Sequence, residues 1–133
     1  MQPIRILVAD DHTLVRNILC QLLGSQADFG IVCECVDASR AVEKTEEMQP
    51  DVVILDISLP DMDGIEVVHR IRTASPSTEI LLCSEHPHMV RAGLEARARG
   101  YLLKSDAVRE LIAAVRTVMR RERYISKKLT ATL

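Results

Sequence analysis

The stretch Asp51-Val-Val-Ile-Leu-Asp56-Ile-Ser-Leu-Pro-Asp-Met-Asp-Gly64 decides the fold. Its apolar run is short, continuous and rich in β-branched residues, the pattern of a strand covered on both faces. The run ends in a carboxylate, and a Pro and a Gly follow within eight positions, which marks a turn into a helix. In open α/β sheets, ligands gather where the strands run out, and Asp56 stands at that edge. A lone Asp after a strand is most often a helix cap, so the case for chemistry depends on what the other strands bring to the same edge.

Working outward, Ile4-Arg-Ile-Leu-Val-Ala9 reads as a first strand closed by Asp10 and Asp11. Thr13 to Leu23 reads as a helix with Leu14, Ile18 and Leu22 on its inward face, Val15 and Leu19 beside them, and Gly24 as its stop. Ile31 to Val36 is a second strand. Asp37 and Ser39 open a second helix, with Ala41, Val42, Thr45 and Met48 on one face, and Pro50 ends it. Asp61 or Asp63 caps a third helix striped by Ile65, Val68 and Ile71. Ile80-Leu-Leu-Cys83 is a fourth strand ending at Ser84, and Pro87 suits the first turn of a fourth helix weakened by Gly93. Gly100 precedes a short fifth strand, Tyr101-Leu-Leu103, closed by Lys104. Asp106 starts a last helix with Val108, Leu111, Ile112, Val115 and Val118 or Met119 inward. Ile125 to Leu133 reads as a tail or linker, with the domain itself over residues 1–122 and the tail or linker over 123–133. Strands alternating with helices five times give an α/β, doubly wound, five-stranded parallel sheet with helices on both faces.

Composition agrees with one globular domain: 133 residues, 47% hydrophobic and 27% charged. No apolar run approaches the roughly 20 residues a membrane helix needs, and the N-terminus has no signal-peptide pattern. No membrane partner is expected. Cys20, Cys33, Cys35 and Cys83 lie in apolar or strand-like surroundings. Cys33 and Cys35 share one strand face, a spacing that suits neither a zinc pair nor a thioredoxin-like pair; free thiols in a reducing cytoplasm are expected. The formal net charge is −2, but residues 106–133 carry +4 and the remainder −6, which shows no broad basic face for nucleic acid.

A parallel sheet puts the strand ends on one edge: Asp10 and Asp11 from the first strand, Asp56 from the third, Ser84 from the fourth, Lys104 from the fifth. Strands lie about 4.8 Å apart, so these groups can share a site. Crowded carboxylates repel unless a cation intervenes, and Mg2+, which favours one or two carboxylates, waters and a phosphate oxygen, resolves the conflict. Lys104 suits a phosphoryl oxygen and Ser84 offers a hydroxyl. Asp56 is then a nucleophile able to form an acyl phosphate. His12 and His86 fall in loops and take no part in this reading. Each feature alone has a bland explanation: a cap, an acid pair before a helix, a solvated lysine, an ordinary serine. Four strand ends in register are much harder to explain that way.

At this point the chain resembles a response-regulator receiver domain, the phosphoacceptor half of two-component signalling, over about residues 4–121. The matching residues are Ile6-Leu-Val-Ala-Asp-Asp-His12, Asp51 to Asp56 with Leu59-Pro60 and Met62-Asp-Gly64, then Ser84, then Gly100-Tyr-Leu-Leu-Lys104. The Ala-Asp-Asp-His and Gly-Tyr-Leu-Leu-Lys wording is similar to receivers that precede a LuxR/NarL-type helix-turn-helix. The resemblance implies a flavodoxin-like strand order 2-1-3-4-5. It implies that Asp56 takes phosphate from a sensor histidine kinase, and that Asp11 and Asp56 bind Mg2+ with the backbone carbonyl of Ser58, while Asp10 acts through water. It further implies that Lys104 pairs with the phosphoryl group, that Ser84 and Tyr101 switch, and that the face of helix 4, strand 5 and helix 5 then dimerises or binds a partner. Such a protein is cytoplasmic, is no enzyme beyond its own phosphorylation and dephosphorylation, and reaches DNA only through an output domain that this chain does not carry.

The chain departs from the family pattern in places. Glu85 stands where a small or apolar residue is usual, the segment from His86 to Gly100 is about two residues short, and Ser105 replaces a common proline, so no cis bond is expected there. These departures leave a phosphorylation-independent interaction module as one alternative. A phosphohydrolase of the haloacid-dehalogenase type is another, but its second Asp is missing: Ser58 stands two positions after Asp56, and His12 two after Asp10.

Overall fold

The computed structural model describes residues 2–132. The elements in chain order are β1 (Ile4–Ala9), α1 (Thr13–Gly24), β2 (Phe29–Cys35), α2 (Ala38–Met48), β3 (Val52–Asp56), α3 (Gly64–Ala74), β4 (Glu79–Ser84), α4 (Val90–Glu95), β5 (Gly100–Leu103), α5 (Ala107–Met119) and β6 (Tyr124–Ile125). They form one sheet in the order β2-β1-β3-β4-β5-β6, and every pairing is parallel. β3 is central, and all five of its residues are buried, as a strand without a polar face requires.

Because strand side chains alternate, each apolar strand supplies both layers of core. Leu7, Val53, Leu55, Ile80, Leu82 and Tyr101 meet Ala38, Ala41, Val67, Val68 and Ile71 on one side. Ile6, Val8, Val52, Ile54, Leu81, Cys83 and Leu102 meet Leu19, Leu23, Leu111, Val115 and Val118 of α1 and α5 on the other. Each fully buried Leu, Ile or Val contributes about 1.5–3 kcal/mol relative to exposure, so these two layers hold the sheet edge rigid.

The sheet has six strands, not the expected five. Tyr124 and Ile125 add β6 to the free edge of β5, which would otherwise expose unpaired backbone groups. The residues that follow are packed as well: Ser126 is buried, its Oγ accepts the Leu103 N–H at 2.8 Å, and Leu129 joins the core.

Two helix faces also differ from the expected ones. In α1 the buried residues are Leu19 and Leu23, while Leu14 is 72% and Ile18 38% exposed. That helix is apolar on two neighbouring stripes, and only one can face the sheet. In α5, Val108 is 68% exposed, and Ala107, Leu111, Ala114, Val115 and Val118 are buried. α4 is short, six residues, preceded by a 3-10 turn at Pro87–Met89. Gly93 is buried in it because a Cβ there would come within 2.5 Å of Leu82 Cδ1. The four cysteines are free. Cys33 and Cys35 share a face with Sγ atoms 3.8 Å apart, and burial pushes the Cys83 thiol up to about 12.

The loop after β3 is held from two sides. Asp63 caps α3 by accepting the Glu66 N–H. Asp61 instead accepts the Ala38 and Ser39 N–H groups at the start of α2, at 2.8 and 3.0 Å, and these bonds hold its carboxyl below the usual range. Gly64 packs directly on Ile57: a Cβ there would lie 2.3 Å from the Ile57 carbonyl oxygen, which no rotamer can relieve. Gly64→Ala should therefore cost about 1–3 kcal/mol in urea unfolding and shift the backbone amides of Ile57 and Ser58. An unfolding midpoint and an amide spectrum matching those of the unchanged chain would contradict this packing.

Candidate functional site

Register delivers the strand-end residues to one place. Ala9 pairs with Leu55, so Asp10 lies beside Asp56; Asp56 pairs with Cys83, and Ser84 with Leu103, so Lys104 follows next. The Lys104 side chain crosses the carboxyl end of β4 and places Nζ 2.9 Å from Asp10 Oδ2 and 3.1 Å from Asp56 Oδ2. All three side chains are buried: 1% exposure for each carboxylate and 8% for the lysine.

The remaining carboxylate oxygens are held by the backbone just beyond each strand. Asp10 Oδ1 accepts the His12 N–H at 2.8 Å, and Asp56 Oδ1 accepts the Ser58 N–H at 2.9 Å. Burial pushes the Asp56 carboxyl above its usual range, against the pull of the Ser58 N–H and the Lys104 charge. Burial alone would lower the Lys104 ammonium, but its bond to Asp10 and the charges of Asp56 and Asp10 outweigh it and raise the pKa. The two shifts describe one object: a cation holding two carboxylates that would otherwise repel each other.

Asp11 is exposed at the rim, and His12 reaches back over the acids. His12 Nδ1 lies 3.4 Å from Asp10 Oδ1, 3.4 Å from Asp11 Oδ1 and 3.9 Å from Asp56 Oδ2. Asp10, Asp11, His12 and Asp56 each offer a ligand atom, all within 4.8 Å of one another. The carboxylates are hard oxygen donors suited to Mg2+, which keeps waters in its remaining positions; the buried pair and the exposed Asp11 fit such an ion. His12 is the residue that the strand-end reading left in a loop. Its signals in the sequence are direct adjacency to Asp11 and its place in the Ala-Asp-Asp-His wording, and its position comes from the turn made when its N–H bonds Asp10.

A small cavity of about 50 Å3 opens onto Asp56, lined by His12, Asp56, Ser58, Glu85, His86 and Lys104. Ser58 and Glu85 thus form part of its wall. Ser84 is fully buried outside this lining, its Oγ accepting the His86 N–H at 2.9 Å. Tyr101 is fully buried too, and its hydroxyl donates to the His86 carbonyl at 2.6 Å. The loop carrying Glu85 and His86 is therefore tied to both Ser84 and Tyr101. The Lys104–Ser105 peptide is trans.

These features meet those of known proteins. Residues 6–116 match the response regulator receiver domain family. The oxygen regulatory protein NreC of Staphylococcus epidermidis is 37% identical over 97% of this chain, which spans 61% of that protein's length. A LuxR-family two-component response regulator from Aurantimonas superposes with a TM-score of 0.91 at 30% identity, over 98% of this chain and 94% of that one. The receiver domain of NarL from Mycobacterium tuberculosis superposes with a TM-score of 0.84 at 33% identity, over 90% of this chain and 98% of that one. The chain belongs to the response-regulator receiver family, and its relatives include response regulators of the NarL/LuxR type. It spans about three fifths of the length of the curated relatives it matches.

Lys104 supplies the buried positive charge, so its removal should be costly. Lys104→Met leaves two carboxylates facing each other and should lower stability by about 3–5 kcal/mol in metal-free buffer. Millimolar Mg2+ should recover part of that loss. Urea unfolding with and without Mg2+ measures both, and a loss below about 1 kcal/mol would contradict the ion-pair account.

Proposed function

We propose that this receiver is a phosphorylation switch in which Asp56 accepts a phosphoryl group from a sensor histidine kinase. The observation that carries the reading is the Lys104 ammonium within ion-pair distance of both Asp10 and Asp56, beside a small cavity that Asp56 and Lys104 both line. A carboxylate oxygen of Asp56 forms a bond to phosphorus as the P–N bond to the kinase histidine breaks, and the imidazole leaves with the electron pair. Positioning and charge neutralisation do most of the work in such a transfer. Asp11, Asp56 and the Ser58 carbonyl would hold Mg2+, with Asp10 acting through water. Bound there, the ion neutralises phosphoryl oxygens. Lys104, freed from Asp56, takes another.

The added charge, about −1.5 to −2, then draws on Lys104 and on the Ser84 hydroxyl. Ser84 must release the His86 N–H to reach it. That release loosens the loop whose carbonyl holds Tyr101, and so couples Asp56 to α4, β5 and α5. Couplings of this type are worth about 1–3 kcal/mol. The altered surface would pair two copies or bind a partner. The exposed Leu14, Ile18 and Val108 on α1 and α5 offer apolar area for such pairing. By analogy with its NarL- and LuxR-type relatives, the receiver would control a DNA-binding output domain and transcription, in the cytoplasm.

A second reading, an interaction module that works without phosphate, is favoured by Glu85, whose carboxylate lines the narrow cavity at Asp56. One experiment separates the two. Acetyl phosphate or phosphoramidate with Mg2+ should add one phosphoryl mass to the chain, and Asp56→Asn should abolish it. Glu85→Ala should speed the labelling. Equal labelling of Asp56→Asn contradicts the assignment of Asp56, and no labelling of either the unchanged chain or Glu85→Ala favours the second reading.

A further inference from the structure

At the edge of the sheet opposite Asp56, the fold gathers arginines from separate segments. A cavity of about 290 Å3 is lined by Arg72 at the end of α3, Leu94 and Arg97 at the end of α4, Ala98 and Arg99 before β5, and Arg123 before β6. A neighbouring cavity of about 380 Å3 shares Arg72 and Arg99 and adds Arg121 and Glu79; another of about 230 Å3 shares Leu94 and Arg123 and adds Arg91 and Glu95. The sequence gives no sign of this, since four of the six arginines lie in the stretch before residue 106 that carries a net −6.

Arg99 is neutralised by Glu79, with Nε 2.6 Å from Oε2. The other arginine ion pairs among the described residues involve Arg16, Arg70, Arg109, Arg116 and Arg120. Arg72, Arg97 and Arg123 have none, and no carboxylate lines their cavity. Helix C-termini attract cations, which accounts for a single arginine on α3 or α4. Three guanidiniums without an ion-pair partner around one hollow, two of them exposed to water, are more than one such end calls for. A lysine could relieve such repulsion by losing its proton, but an arginine cannot. Water and salt screen part of the repulsion, and an anion seated among the guanidiniums relieves the rest.

Arg97 and Arg121 adopt φ of 73° and 62°, the left-handed conformation at which helices usually end in glycine. Each closes its helix through hydrogen bonds to the last turn: Arg97 N–H to Leu94 O and Ala98 N–H to Gly93 O, then Arg121 N–H to Val118 O and Glu122 N–H to Thr117 O. Gln49 closes α2 in the same conformation, at φ 48°, and lines none of these cavities, so the geometry is how these helices end.

We propose that this cavity binds a pyrophosphoryl anion, free or carried on a nucleoside. Three unpaired guanidiniums match the charge of linked phosphates, and the guanidinium fork matches phosphate oxygens in bidentate pairs. The apolar lining is only Leu94 and Ala98, with no aromatic face for a base. Recognition therefore rests on the phosphates, and any nucleoside projects toward the flanking cavities. An extended nucleic acid would need a track of charge rather than one hollow.

The test is an amide NMR titration of the 133-residue chain with inorganic pyrophosphate, and in parallel with ADP, in metal-free buffer at about 150 mM salt. Saturable shifts are expected at residues 97–101 and 123. Arg97→Gln and Arg123→Gln should each weaken binding by about tenfold, while Asp56→Asn and Arg40→Gln leave it unchanged. Binding of pyrophosphate and ADP alike assigns a nucleotide, and of pyrophosphate alone a free ion. Arg72→Gln serves as a third variant if either of the first two loses amide dispersion. Shifts that fail to saturate, or that weaken equally in Arg40→Gln, overturn the proposal. So does a duplex DNA or an acidic peptide that shifts these amides when pyrophosphate does not.

Discussion

One ammonium between two buried carboxylates sets the terms for the rest of this molecule. Lys104 lies within ion-pair distance of Asp10 and Asp56, and the three side chains are almost wholly removed from water. Burying that much charge is costly, and it is tolerated only with good geometry and with the remaining oxygens satisfied. The His12 and Ser58 N–H groups meet the second condition. The arrangement is nonetheless incomplete as a balance of charge: Asp11 stands at the rim with His12 above it, an acidic group compatible with a further cation.

The fold can be understood as what holds that arrangement still. Parallel register places β1, β3, β4 and β5 so that their ends converge, and two apolar layers fix the register. The loop bearing Ser58 is pinned by Gly64 packed on Ile57 and by Asp61 bonded to the start of α2. The opposite loop, with Glu85 and His86, is tied more lightly, by single hydrogen bonds to Ser84 and from Tyr101. The phosphorylation switch proposed above would use this contrast, a change of charge at Asp56 moving the lightly tied loop more readily than the pinned one.

The sequence spelled out the alternation of strands and helices and the acids and lysine at the strand ends, because both depend on local patterns: a short continuous apolar run and the residue that closes it. What it hid depends on tertiary choice. α1 carries two apolar stripes, and nothing local says that Leu19 and Leu23 rather than Leu14 and Ile18 face the sheet. Val108 fails for the same reason. Tyr124 and Ile125 are too short a pair to announce a strand, and become one because β5 has an unpaired edge. His12 reaches the acids through a backbone turn that no spacing rule encodes. The arginine cavity is the extreme case, since its lining comes from three separate stretches of chain and its charge is concealed in an acidic average.

The central claim is that the carboxylates of Asp10, Asp11 and Asp56, poised by Lys104, form one divalent-cation site. It is tested most directly by titrating the unphosphorylated chain with Mg2+ while following amide resonances. The account predicts saturable shifts confined to residues 10–12, 56–58 and 104, lost in Asp11→Asn. Resonances at these positions that stay unmoved by Mg2+, or that move equally in Asp11→Asn, would contradict it.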